Sequence, residues 1–144
     1  MTNVIARDSG TRRPALSARV DFEGGVGMIA ASRDFTADFL TAAPTASREP
    51  LREDRVDVAR LVVSELVTNV VRHAPGPCRL ELALHPDVLE IRVHDTRPVP
   101  PVAGPRDPNR IGQHGMEIVL ALCTRVDVEA TPHGKRIRAR LPLS

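Results

Sequence analysis

Two polar residues four apart, Glu65 and Asn69, interrupt what is otherwise an apolar helical arc. Across Val58 to Ala74 (VARLVVSELVTNVVRHA), a turn of ~100° per residue gathers Val56, Ala59, Val62, Val63, Leu66, Val67 and Val70 on one continuous arc. Asp57, Arg60, Ser64 and Thr68 fall opposite it. Glu65 and Asn69 stack one above the other, not on the polar side but between Leu61 and the Val58/Val62 edge, with Arg72 and His73 nearby. A carboxylate and an amide at such a border each cost of order 1–3 kcal/mol unless something satisfies them. They either brace a neighbouring loop or belong to a site that uses a carboxylate and an amide side by side.

Three further stretches offer chemistry. Asp95 continues the inward parity of Leu89, Ile91 and Val93, so a carboxylate points to a covered face and needs partners. As Asp-Thr it also suits a loop cap. Thr96 to Arg110 (TRPVPPVAGPRDPNR) is proline-rich and has no buried apolar pattern, which excludes helix and central strand. Gly112-Gln113-His114-Gly115-Met116 precedes a predicted helix. Glycine at a helix start lets backbone amides approach an anion, and the helix dipole favours negative charge there.

The elements that must position these residues follow from periodicity. Residues 1–14 lack it and read as a disordered tail, ahead of a single domain over 15–144. Leu16, Ala18, Val20 and Phe22 alternate with polar residues as a half-buried strand, and Gly24, Gly25 and Gly27 form a loop. A first helix runs from about Met28 to Ala42. The long central helix starts near Arg52–Asp54 and stops at Ala74, because Pro75-Gly76-Pro77 cannot continue it. Leu80, Leu82, Leu84 and then Leu89, Ile91, Val93 give a hairpin with one covered face, with Glu90, Arg92 and His94 facing out. Met116, Ile118, Val119, Leu120 and Leu122 give a third helix. A second hairpin alternates Val126, Val128, Ala130 and then Ile137, Ala139, Leu141 with charged residues, among them Arg136, Arg138 and Arg140 on a solvated outer face. Two hairpins with one apolar face need helices on that face, so the expected fold is α+β: a two-layer sandwich with a mixed, mostly antiparallel sheet covered on one side.

Composition narrows the functional classes. The 144 residues, 42% hydrophobic, hold one ordinary core, and a formal net charge of +2 does not argue for nucleic acid. Three Phe without Tyr or Trp leave no base-stacking platform. Cys78 and Cys123 read as small core residues, and the five histidines lack zinc spacing. Without an apolar run near ~18 residues or a signal segment, the expectation is a soluble, cytoplasmic protein with no membrane and no direct nucleic-acid partner.

The run Glu65-Leu66-Val67-Thr68-Asn69-Val70-Val71-Arg72-His73 resembles the N box of the GHKL (Bergerat-fold) ATP-binding domains. It is closest to the bacterial anti-sigma factor serine/threonine kinases. The resemblance covers about residues 16 to 142. It implies ATP and Mg²⁺ as cofactors, Glu65 as the general base, Asn69 as the Mg²⁺ ligand, and Arg72 and His73 beside the phosphates. Asp95-Thr96-Arg97 takes the place of the D-x-G motif, whose Asp accepts a hydrogen bond from the adenine amine, with Arg97 where the Gly would be. Thr96 to Arg110 corresponds to the ATP lid, expected to be mobile until nucleotide orders it. Gly112, His114, Gly115 and Met116 correspond to the second glycine box, with Gln113 in place of its first Gly and Glu117 where many kinases have another.

With no dimerisation helices read upstream, the resemblance implies a switch kinase rather than an autophosphorylating one. Its partners would be a sigma factor and an anti-anti-sigma (STAS-type) antagonist phosphorylated on Ser or Thr, with homodimerisation left open. The competing expectation is a non-catalytic module of the same fold that binds protein and little or no nucleotide.

Overall fold

The computed structural model describes residues 2–3, 14, 16–42, 52–95 and 111–143. Its organising element is helix α2, Glu53–His73. Ala59, Val62, Val63, Leu66, Val67 and Val70 are all buried along it, as the apolar arc requires. Glu53 and Asp54 in the first turn and Arg72 and His73 in the last complement the helix dipole. The helix ends where Ala74 N–H closes onto Val70 O at 2.8 Å, just ahead of the Pro75-Gly76-Pro77 break.

Helices α1 (Gly27–Ala42) and α3 (Ile111–Leu122) both pack on α2. Within α1, Ser32 and Thr36 are fully buried hydroxyls satisfied by their own helix. Ser32 Oγ donates to Ile29 O and Thr36 Oγ1 to Ser32 O, both at 2.8 Å. Below the helices lies a sheet of β1 (Thr2–Asn3), β2 (Leu16–Phe22), β3 (Cys78–Leu84), β4 (Val88–Asp95), β5 (Arg125–Thr131) and β6 (Gly134–Pro142), in the order β1-β2-β3-β4-β6-β5. Every described pairing is antiparallel. The α+β two-layer sandwich is therefore as expected. Thr2 and Asn3, inside the segment read as a tail, pair with Val20 and Arg19.

The inner face is the core. Leu80, Leu82, Leu84, Leu89, Ile91, Val93, Ile137, Ala139 and Leu141 are all buried against the helices. At the β5 edge this cover runs out: Val128 keeps the inward parity yet is 57% exposed.

The outer face carries a lattice of charges set by strand register, for example Arg19, Glu81, Arg92, Arg138 and Asp127 in one row. Arg136, Arg138 and Arg140 lie on this face, away from the core, but they are half-buried rather than exposed. Their long stems lie along the sheet while their heads pair. Arg138 Nη2 reaches Glu129 Oε1 at 3.0 Å, and Arg136 also pairs with Glu129.

Candidate functional site

Strand register builds one end of the sandwich. Phe22 faces Cys78, Cys78 faces Asp95, and Asp95 faces Lys135, so a single row of four strands closes that end. The direction of α2 brings its C-terminal half to the same place. At its start Arg55 Nη1 donates to Pro142 O at 3.3 Å, anchoring it to the far end of β6. At its finish the chain passes within a few residues into β3. Two loops meet here as well: Gly24, at φ +122°, lies so close to Gly76 that a Cβ would stand 3.1 Å from the Gly76 carbonyl.

Helix α3 approaches Glu65 in the same region. A Cβ built on Gly115 would collide with Glu65 Oε2 and lie 3.4 Å from its Cδ, so the missing side chain leaves the space that the Glu65 carboxylate fills. Glu65, half-buried on α2, thereby lies against the first turns of α3, and Asn69 is half-buried one turn further along α2. Arg72 and His73 follow in the last turn and are exposed. Met116 packs, partly buried, against the hydrophobic core.

The helix does not begin where its glycines suggested. Gly112, His114, Gly115 and Met116 lie within α3, which starts at Ile111, rather than ahead of it. Glycine weakens a helix by only ~1 kcal/mol, and the seat of Gly115 on Glu65 with Met116 and Val119 on the core offsets that. The anion-seeking amides of this helix are consequently those of its first turn from Ile111, one turn earlier than Gly115. The lid expected over Thr96 to Arg110, with Arg97, lies outside the described residues.

Asp95 is buried on the inner face, as its parity required. Lys135 N–H donates to Asp95 Oδ1 at 3.1 Å, and Lys135 Nζ stands 3.9 Å from Oδ2. Lys135 escaped the sequence reading, which stopped the alternation of β6 at its last apolar member, Ile137. One step further the same parity turns a lysine inward, next to the one carboxylate that needs it. On β3, beside Asp95, burial pushes the Cys78 thiol up to about 12, with Asp95 and Asp21 adding to the effect. Cys123, half-buried, is raised by burial to about 11. Both are thiols rather than thiolates, consistent with packing roles.

The arrangement gathers hydrogen-bonding and charged groups at one end of the sandwich. A buried acceptor lies at the strand end, an amide and a carboxylate lie one turn apart on α2, and a glycine keeps α3 close to them. Among the described residues no helix is long and apolar enough to cross a membrane. Comparison with curated proteins finds no significant match. The model of the histidine kinase-like ATPase domain matches residues 29–141, from α1 through β6, including Glu65, Asn69, Asp95 and Gly115; the chain belongs to that family.

Proposed function

We propose that the chain is an anti-sigma-type regulator that binds Mg-ATP and phosphorylates a serine or threonine of an anti-anti-sigma antagonist while sequestering a sigma factor. The observation that supports this best is the seat of Glu65 against Gly115, with Asn69 one turn away on the same helix. The space at Gly115 sets the Glu65 carboxylate against the first turns of α3, where a base acting beside phosphates at that helix start would stand.

When bound, Mg-ATP supplies the transferable phosphoryl group and a cation that spreads its charge. Asn69 would hold the cation, the first turn of α3 would face the phosphates, and Asp95 would take the adenine amine. Glu65 would accept the proton of the incoming hydroxyl as its oxygen bonds to the γ-phosphorus and the bond to the β-phosphate oxygen breaks, releasing ADP. Positioning and charge stabilisation are most of what such a transfer asks of a protein.

The test is transfer of labelled γ-phosphate to a candidate antagonist, alongside ATP affinity. Glu65→Gln is expected to lower transfer ~10²–10⁴-fold with ATP affinity within a few fold. Asn69→Ala is expected to weaken Mg-ATP binding and transfer together. Sigma binding survives both. A wild type that binds ATP yet transfers nothing, or a Glu65→Gln that transfers normally, overturns the kinase. The non-catalytic module then takes its place, a reading favoured by Gln113 and by Glu117, an exposed carboxylate on α3.

A further inference from the structure

Lys135 is out of character for its position. Its neighbours of the same parity on β6 are Ile137, Ala139 and Leu141, all buried, yet the row ends in an ammonium whose side chain is only 19% exposed. Desolvating an ammonium is costly, and a nearby carboxylate offsets that cost only in part. A counter-ion that served Asp95 alone would be expected to hydrogen-bond it. Here the backbone N–H of Lys135 does so, at 3.1 Å, and fixes the rotation of the carboxylate. The ammonium stands off at 3.9 Å from Oδ2, beyond hydrogen-bond distance. At that distance it balances the carboxylate's charge without a hydrogen bond to Oδ2. The result is a cationic donor beside an anionic acceptor, both on the inner parity at the end of the sandwich. The other described members of the row, Phe22 and Cys78, bring an aromatic ring and a protonated thiol.

We propose that Lys135 is a specificity-determining residue of the base subsite, donating to the ring nitrogen that flanks an exocyclic amine while Asp95 accepts from that amine. The inference rests on the nucleotide reading above and extends it from the amine to the neighbouring edge of the base. Adenine carries such a nitrogen on each side of its amine, N1 and N7. A 6-oxo purine would turn a carbonyl oxygen toward the Asp95 carboxylate, and the site rejects it.

The experiment is equilibrium binding of ATP, 1-deaza-ATP, 7-deaza-ATP and ITP, with Mg²⁺, to wild type, Lys135→Met and Lys135→Arg. Folding of each is checked by its thermal transition. In wild type one deaza analogue binds about 10- to 100-fold more weakly than ATP, the range for a hydrogen bond to a charged group. In Lys135→Met, ATP falls to the level of that analogue and the difference between them shrinks to within about 3-fold. The other analogue keeps its ratio to ATP, and Lys135→Arg recovers most of the discrimination. If Lys135→Met weakens ATP and both deaza analogues by one common factor, Lys135 only holds Asp95 in place and the assignment is overturned. Unchanged affinities overturn it too. If folded wild type binds none of the four nucleotides, the nucleotide reading itself fails and takes this inference with it, an outcome distinct from the parallel loss.

Discussion

Glu90 and Asp95, both on β4, are each 4% exposed, and they reach that state on opposite faces of the sheet. Glu90 faces outward and is hidden by the arginines around it. Arg92 Nη2 pairs with it at 2.7 Å and Arg138 Nε stands 4.0 Å away. Both arginines remain partly in water, so the carboxylate is covered by side chains that themselves border solvent. Asp95 faces inward at the end of the core, where Lys135 offers it a backbone N–H and a half-buried ammonium. Equal burial therefore conceals unequal consequences. The outer carboxylate sits among partly solvated arginines, whereas the inner one sits at the end of the apolar core and depends more on the groups that pair with it.

The sharpest way to break this contrast uses an inward residue between the two. Ile91 is fully buried on the inner face. Ile91→Ala is expected to cost about 2–5 kcal/mol of unfolding free energy, transfer plus residual cavity, read from urea denaturation. A cost below about 1 kcal/mol would mean that the helix layer does not depend on this strand for its packing.

Next in size comes the pair itself. Asp95→Asn keeps shape but offers an amide N–H toward any base amine and leaves Lys135 without its counter-charge. ATP affinity is expected to fall about 30- to 100-fold. Glu90→Gln is expected to leave ATP affinity within about 2-fold, because Glu90 lies on the opposite face of the sheet, and to lower stability by about 1–3 kcal/mol, the cost of weakening a buried charged hydrogen bond. Equal effects of the two on ATP affinity would erase the distinction between the faces.

Much of this architecture was legible in the chain. The arc of α2 and the alternation in both hairpins are strong periodic signals, and parity alone sent Asp95 inward. What escaped reading was tertiary. Glu90 carries an outward parity, and nothing local says that arginines of its own and the neighbouring strand will bury it. Gly115 reads as a helix opener, whereas its missing side chain is used by Glu65 on a different helix. Lys135 was within reach, since the parity that placed Ile137 also places it, but a lysine ends an apolar pattern to the eye. Thr2 and Asn3 give no sign by themselves that they lengthen the sheet, because two residues carry no period.

The smallest expected effect separates the faces by pH. On the outer face Glu81 accepts a hydrogen bond from His94 Nε2, diagonal to it across β3 and β4. That bond holds Glu81 below its ordinary value near 4.5, against the upward push of its burial and with help from the charges of His94, Arg92 and Arg79. A carboxyl depressed on folding stabilises the native state above its unfolded value. That contribution is lost as pH falls through the lower, folded value. Wild-type stability is therefore expected to decline below about pH 4.5, and Glu81→Gln to decline less steeply over the same window, by about 1 kcal/mol or less because the site is partly solvated. Urea midpoints from pH 6 down to pH 3 would read this, and raising salt should shrink the difference, since screening acts on the open face. Parallel acid limbs for the two proteins would mean that the Glu81–His94 pair adds nothing to folding and that the outer lattice is held by its arginines alone.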